Sequence, residues 1–153
     1  MTFDTRNGTR GARQPGGRLM KWINTWNTRR IRRKGGRIMG MDALVLTTIG
    51  RKSGTERSTP VAWFPDSDHS WLIVASANGA AHNPAWYYNL AAHPDRARID
   101  VGGRTIPVSA EQLHGQARDR AWRQITAAKK QFAKYEKQTD RDIPVIRLTA
   151  RPS

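Results

Sequence analysis

The 153-residue chain contains no cysteine. Disulfides, thiol catalysis and cysteine-ligated metals are therefore excluded. Long apolar runs are also missing. None approaches the roughly 20 residues of a membrane-spanning helix, and the polar, basic N-terminus reads without the hydrophobic stretch of a secretory leader. The expected compartment is the cytoplasm. Acid is scarce as well, with 12 Asp+Glu against 27 Lys+Arg and a net charge of +15. Of the few carboxylates, Asp66/Asp68 read as a turn and Asp140/Asp142 as a strand entry. His69, His82, His93 and His114 are scattered over loops with no metal-ligand spacing, and each reads as a surface residue. No triad and no paired-carboxylate acid/base set can be assembled from these groups. Demanding chemistry would have to be supplied by a cofactor, with the protein providing position and electrostatics.

What is abundant is positive charge, and its placement matters more than its total. Residues 1–37 carry 11 basic groups and one acid, Asp4, a net +10; residues 38–153 carry the remaining +5. The chain thus divides into a basic N-terminal arm, 1–37, and a globular domain, 38–153. Residues 1–17, rich in glycine, read as a flexible tail. From 18 to 34 the pattern predicts a helix, with Leu19, Trp22, Ile23 and Trp26 on one stripe and Lys21, Arg29, Arg32 and Arg33 beside it. Such a helix either docks on the domain's own core or lies on an anionic membrane surface. A nucleic-acid-binding module is a third way to use the charge, but the core shows no base-reading motif.

Beyond the arm the chain reads as short strands joined by turns. Strands are expected at 43–49, 58–65, 71–76, 96–101, 104–111 and 143–148. Gly102-Gly103 marks a two-residue hairpin. Pro84 opens a short helix through Leu90, and residues 116–137 form a long helix before the last strand. Consecutive strands without intervening helices exclude a parallel α/β fold. The class is mainly β with helices (α+β), an antiparallel barrel or sandwich of about six strands.

The densest chemistry lies between Leu44 and Pro60. An apolar, β-branched run breaks at Gly50 and delivers Arg51, Lys52, Ser53, Gly54 and Arg57 before a second extended run. Backbone amides, Arg forks and a Lys point charge all favour phosphate or carboxylate oxygens. A basic surface hairpin would present the same residues. A Walker loop is excluded because Thr55-Glu56 follow Gly54. A nucleophile elbow is excluded because Arg51 and Thr55 stand where its glycines belong. A cofactor with an anionic tail would rest on this turn, its flat ring reaching backbone near Thr59–Val61 and the loop at Ser76, Ala77, Asn78 and Gly79.

Several further segments carry a resemblance: Gly50-Arg51-Lys52-Ser53-Gly54, Arg57, Pro60, Ser76-x-x-Gly79, Asn83 to Leu90, His93-Pro94, Val101 to Arg104 and Thr139 to Val145. In that order they resemble the deazaflavin-dependent nitroreductase family of actinobacteria, over residues 38–149. The resemblance implies a split β-barrel binding coenzyme F420, with FMN as the alternative cofactor. It implies hydride transfer to a small-molecule acceptor, a quinone, a nitroaromatic or another electron-poor compound. By the same resemblance Lys52 and Arg57, with Arg51, would meet the tail, and Ser53 and Gly54 would shape its turn. Thr59, Pro60 and Val61 would line the ring, Ser76 to Gly79 would cover its edge, and Trp86 and Asn89 would brace it. Ser76 and Tyr135 would stand nearest the chemistry, and Trp63, Phe132 and Tyr135 would form the acceptor pocket. Where relatives place further tyrosines after the long helix, this chain has Lys129 and Phe132.

Overall fold

The structure is a computed structural model that describes residues 3–11, 36–38, 41–76, 79 and 81–152. The expected helix at 18–34 lies outside the described residues, as do Ala77 and Asn78. The strands are β1 (Gly36–Ile38), β2 (Met41–Ile49), β3 (Glu56–Ala62), β4 (Phe64–Ser67), β5 (Ser70–Val74), β6 (Ala97–Val101), β7 (Arg104–Gln112) and β8 (Val145–Ala150). Helix α1 (Ala85–Ala92) lies between β5 and β6, and α2 (Gly115–Ala128) and α3 (Gln131–Gln138) precede β8.

All pairings are antiparallel, in the order β1-β2-β6-β7-β8-β5-β4, with β3 on the other edge of β2. The expected second strand is in fact two. Trp63 alone separates β3 from β4, and its N–H bonds to the Asp42 carbonyl at 2.9 Å. One bent strand therefore pairs with β2 through its first half and with β5 through its second. That is the split in the barrel: the ends of the sheet meet through covalent continuity and not through a ladder. With the unforeseen β1, this raises the count above the expected six. Gly102 and Gly103, at φ +57° and +77°, close the β6–β7 hairpin between paired Val101 and Arg104. Left-handed values at both positions are what a two-residue turn matching the strand twist requires.

Two cores lie on opposite faces of this sheet. Along β5 the side chains alternate: Ile73 joins Leu44, Leu46, Ile99, Leu148 and the α1 residues Tyr87 and Leu90, while Leu72 joins Phe64, Trp122, Ile125, Phe132 and Val145. Strand period 2 produces this division. It explains why β2 is buried on both faces and reads as a continuous apolar run.

Two expectations are corrected here. The single long helix is broken at Lys129, whose φ of −141° ends α2. Lys129-Lys130 offers nothing apolar to bury, and the reorientation sets the Phe132 ring edge-on to Phe64 at 5.6 Å. The flexible-tail expectation also fails for residues 3–11, which run across the molecule. Phe3 packs edge-on to Tyr87, the Thr5 N–H bonds the Tyr87 hydroxyl at 2.9 Å, and the Thr9 N–H bonds Asp140 at 2.8 Å.

Candidate functional site

The first core ends where its face turns polar. Along β2, Leu44 and Leu46 give way to Thr48; along β3, Val61 gives way to Thr59 and Arg57. Register sets these opposite one another, as Leu44↔Val61, Leu46↔Thr59 and Thr48↔Arg57. A cleft of about 600 Å³ opens at this rim. Thr48, Gly50, Arg51, Lys52 and Ser53 line it from β2 and the turn, and Arg57 and Thr59 from β3. His82, Pro84, Ala85, Trp86 and Asn89 line it from α1 and the approach to that helix.

The turn is held by its own backbone. The Gly50 N–H bonds the Thr55 carbonyl at 2.7 Å, and the Gly54 N–H bonds the Gly50 carbonyl at 2.8 Å. A side chain on Gly50 would place its Cβ 2.5 Å from Ser53 Oγ and 3.2 Å from the Thr55 carbonyl oxygen, so it would displace the Ser53 hydroxyl and crowd the turn. Helix α1 fixes the turn from the side. Asn89, only 7% exposed, accepts the Arg51 N–H at Oδ1 (3.1 Å) and donates from Nδ2 to Thr48 Oγ1 (3.1 Å). The Arg51 guanidinium stacks over the Tyr88 ring, 4.6 Å from its centroid.

Charge in the cleft has one sign. Arg51, Lys52 and Arg57 line it, and among the described residues no carboxylate does. Lys52 and Arg57 are exposed and form no ion pair among the described residues. The nearest acid in sequence, Glu56, is engaged by Arg98, whose Nη2 lies 3.0 Å from Glu56 Oε1. That contact with Glu56 raises the Arg98 pKa above its usual value. Cations gathered without acid around a concave, partly apolar wall favour an anionic ligand with a flat body.

Comparison with known proteins decides the family. A profile described as F420H(2)-dependent quinone reductase matches residues 20–150. The chain belongs to this family. An F420H(2)-dependent quinone reductase of Mycobacterium tuberculosis is 37% identical over 123 residues, covering 78% of this chain and 81% of that protein. The structure of an F420-H2 dependent reductase, FDR-A, is 32% identical with a TM-score of 0.62, covering 69% of this chain and 92% of that one. A protein solved as a domain-swapped dimer is 29% identical with a TM-score of 0.64, covering 86% of this chain and 99% of that one. The expected kinship with deazaflavin-dependent reductases holds, and coenzyme F420 is the cofactor of the family. Its name specifies quinone, the first of the acceptors that the resemblance implied.

The residues present suit F420, whose tail is polyanionic and whose ring is flat. Of those expected to hold it, Arg51, Lys52, Ser53, Arg57, Thr59, Trp86 and Asn89 share the cleft. Gly54 sits at the exposed tip of the turn, at φ +71°, with open space around it. Val61 packs against the first core, below Thr59, and Pro60 pairs with Val45. Ser76 and Gly79 are buried outside the cleft lining, and Gly79 lies against α3, where an added Cβ would be 3.4 Å from Tyr135 Cα.

The expected acceptor pocket is not brought together. Trp63 packs against the first core, whereas Phe132, 4% exposed, and Tyr135 belong to the second. Trp63 stands at the bend between β3 and β4, and the residue after it, Phe64, already belongs to the second core with Phe132. The sequence also hid three contributors. His82 is exposed, as expected, but also lines the cleft. Arg141 and Asn83 support the site from behind; both lie in segments noted for resemblance, but nothing local marks them as buried.

Proposed function

We propose that this chain is an F420-dependent reductase acting on quinones, with the coenzyme's tail held by Arg51, Lys52 and Arg57. The observation that carries this is the acid-free cationic cleft beside Trp86, in a member of the F420H(2)-dependent quinone reductase family. Bound reduced deazaflavin supplies a hydride. The protein then needs no nucleophile, only a donor and an acceptor held close and oriented. Lys52 and Arg57 meet phosphate and glutamate oxygens with charge-assisted bonds, and both stay free to do so because Glu56 is occupied by Arg98. Asn89 fixes the Arg51 backbone and with it the turn. Ser76 and Tyr135 are assigned to the acceptor side: the Ser76 carbonyl accepts the Gly79 N–H, and Tyr135, only partly buried at the margin of the second core, has its Cα beside Gly79. The basic run at 18–34, with Trp22 and Trp26, supplies contact with anionic lipid when the quinone is lipid-soluble.

Fluorescence titration with F420, beside FMN and NADPH, tests the assignment. The double variant Lys52→Ala/Arg57→Ala should weaken F420 binding by roughly 2–4 kcal/mol, about 30- to 1000-fold. Unchanged affinity would place the tail elsewhere, and no binding at micromolar F420 by the wild type would overturn the cofactor assignment. Reoxidation of reduced F420 by quinones, run beside nitroaromatics, then ranks the acceptors.

A further inference from the structure

The N-terminal strap, residues 3–11, reaches the cationic turn through a chain of contacts. Asn7 Oδ1 accepts two hydrogen bonds, from the Tyr88 hydroxyl at 2.7 Å and from the Asn83 N–H at 3.0 Å. The Asn83 side chain donates back to the Thr5 carbonyl at 2.9 Å and to the Tyr88 hydroxyl at 3.2 Å. The Tyr88 phenol is thus held at its tip by the strap, while its ring carries the Arg51 guanidinium. Arg51 lines the cleft. An exposed arginine on a loop ordinarily spends its rotamer freedom in water, and ordering it for a ligand costs entropy. Here the side chain is ordered in advance by an aromatic face that is itself ordered by Asn7.

We infer that the strap is part of the coenzyme site: Asn7 is a positioning residue that presents Arg51 to the anionic tail through Tyr88. The strap is anchored on both sides of Asn7. Upstream, Thr5 Oγ1 accepts from Gln112 Nε2 at 2.8 Å. Downstream, Asp140 accepts the N–H groups of Thr9 and Arg10 at 2.8 and 3.0 Å. Asn7 does not line the cleft, and its link to Arg51 runs through the Tyr88 phenol, while its second bond holds the Asn83 backbone. The inference rests on Arg51 belonging to the tail site, so its test separates the two.

Asn7→Ala and Tyr88→Phe both remove the bond from phenol to strap, and Tyr88→Phe keeps the ring beneath Arg51. Each should weaken F420 binding about 3- to 10-fold, the range expected when a single cation–π interaction is disturbed. The double variant should be no weaker than either single one. In an Arg51→Ala background, Asn7→Ala should change affinity by less than about 2-fold, because the group it positions is gone. The KM for F420 should rise with kcat retained, and the salt dependence of Kd should flatten in Asn7→Ala toward that expected of Arg51→Ala. An equal loss from Asn7→Ala with and without Arg51 would overturn the positioning role and leave Asn7 a structural residue. Tight wild-type binding that Arg51→Ala leaves unchanged would remove Arg51 from the tail site, and the inference with it. No wild-type binding would overturn the cofactor site itself.

Discussion

Arg141 is the most constrained cation in the described chain. It is 4% exposed, and its guanidinium bonds the carbonyls of Ala75 and Ser76, each at 2.8 Å, and Asn83 Oδ1 at 2.6 Å. Burial pushes its pKa below the usual arginine value. One side chain thereby ties the loop after β5 to the approach of α1, the two segments that flank the strap. Arg141→Met would remove the guanidinium donor from all three acceptors, of which the Ser76 carbonyl keeps the Gly79 N–H, and should cost about 2–4 kcal/mol in urea denaturation. Arg141→Lys should recover only part of this, since a point charge cannot satisfy a forked set of acceptors. A midpoint unchanged in both variants would mean that water replaces the guanidinium without penalty. Nothing in the sequence separates Arg141 from the rest of the 27 Lys+Arg. Its burial is a product of tertiary packing, as is the position of His82. Lys52 and Arg57 were legible because their glycine-bounded turn is a local feature.

Strands and hairpins were readable for the same reason: apolar periodicity, Gly102-Gly103 and Pro84 act over a few residues. The strap was not, because Thr5, Asn7 and Thr9 dock by hydrogen bonds and leave no hydrophobic pattern. The break between α2 and α3 was missed because Lys129-Lys130 carries neither glycine nor proline. Strap docking carries its own pH signature. The Thr9 hydroxyl first, then the Arg10 N–H, hold the Asp140 carboxyl down to about 2. Undocked, it should titrate near the ordinary aspartate value of about 3.9. Because the docked value is the lower one, the contribution is complete above about pH 4 and is lost as pH falls toward 2. Amide exchange at Thr9 and Arg10 should therefore be slow at about pH 5 relative to intrinsic rates and should lose that protection near about pH 2.5. Asp140→Asn should flatten this dependence, and protection that persists unchanged at the acid end would show that the carboxylate is not the anchor.

The described chain forms one antiparallel sheet with a core on each face, and the cationic cleft belongs to the rim of only one of them. Phe132, expected to touch the acceptor, lies in the other core against Phe64 and Tyr135. Phe132→Ala should accordingly cost about 3–5 kcal/mol of stability while leaving F420 affinity as it was. A variant of near-normal stability with altered acceptor KM would return Phe132 to the pocket. The division into two cores follows from strand alternation and was within reach of the sequence. The long-range pairings, β2 with β6 and β5 with β8, were not, because register between distant strands leaves no local trace. The seam at Trp63 has a bearing on self-association. A ring closed by chain continuity leaves strand edges exposed, and among the described residues β3 and β4 each have one strand partner. Both carry a proline, Pro60 opposite Val45 and Pro65 opposite Trp71, and neither residue can donate a backbone hydrogen bond to an incoming strand. Arg57 and Asp66 add charge to the same edges. The open edges beside the seam are thus kept from becoming a template for aggregation.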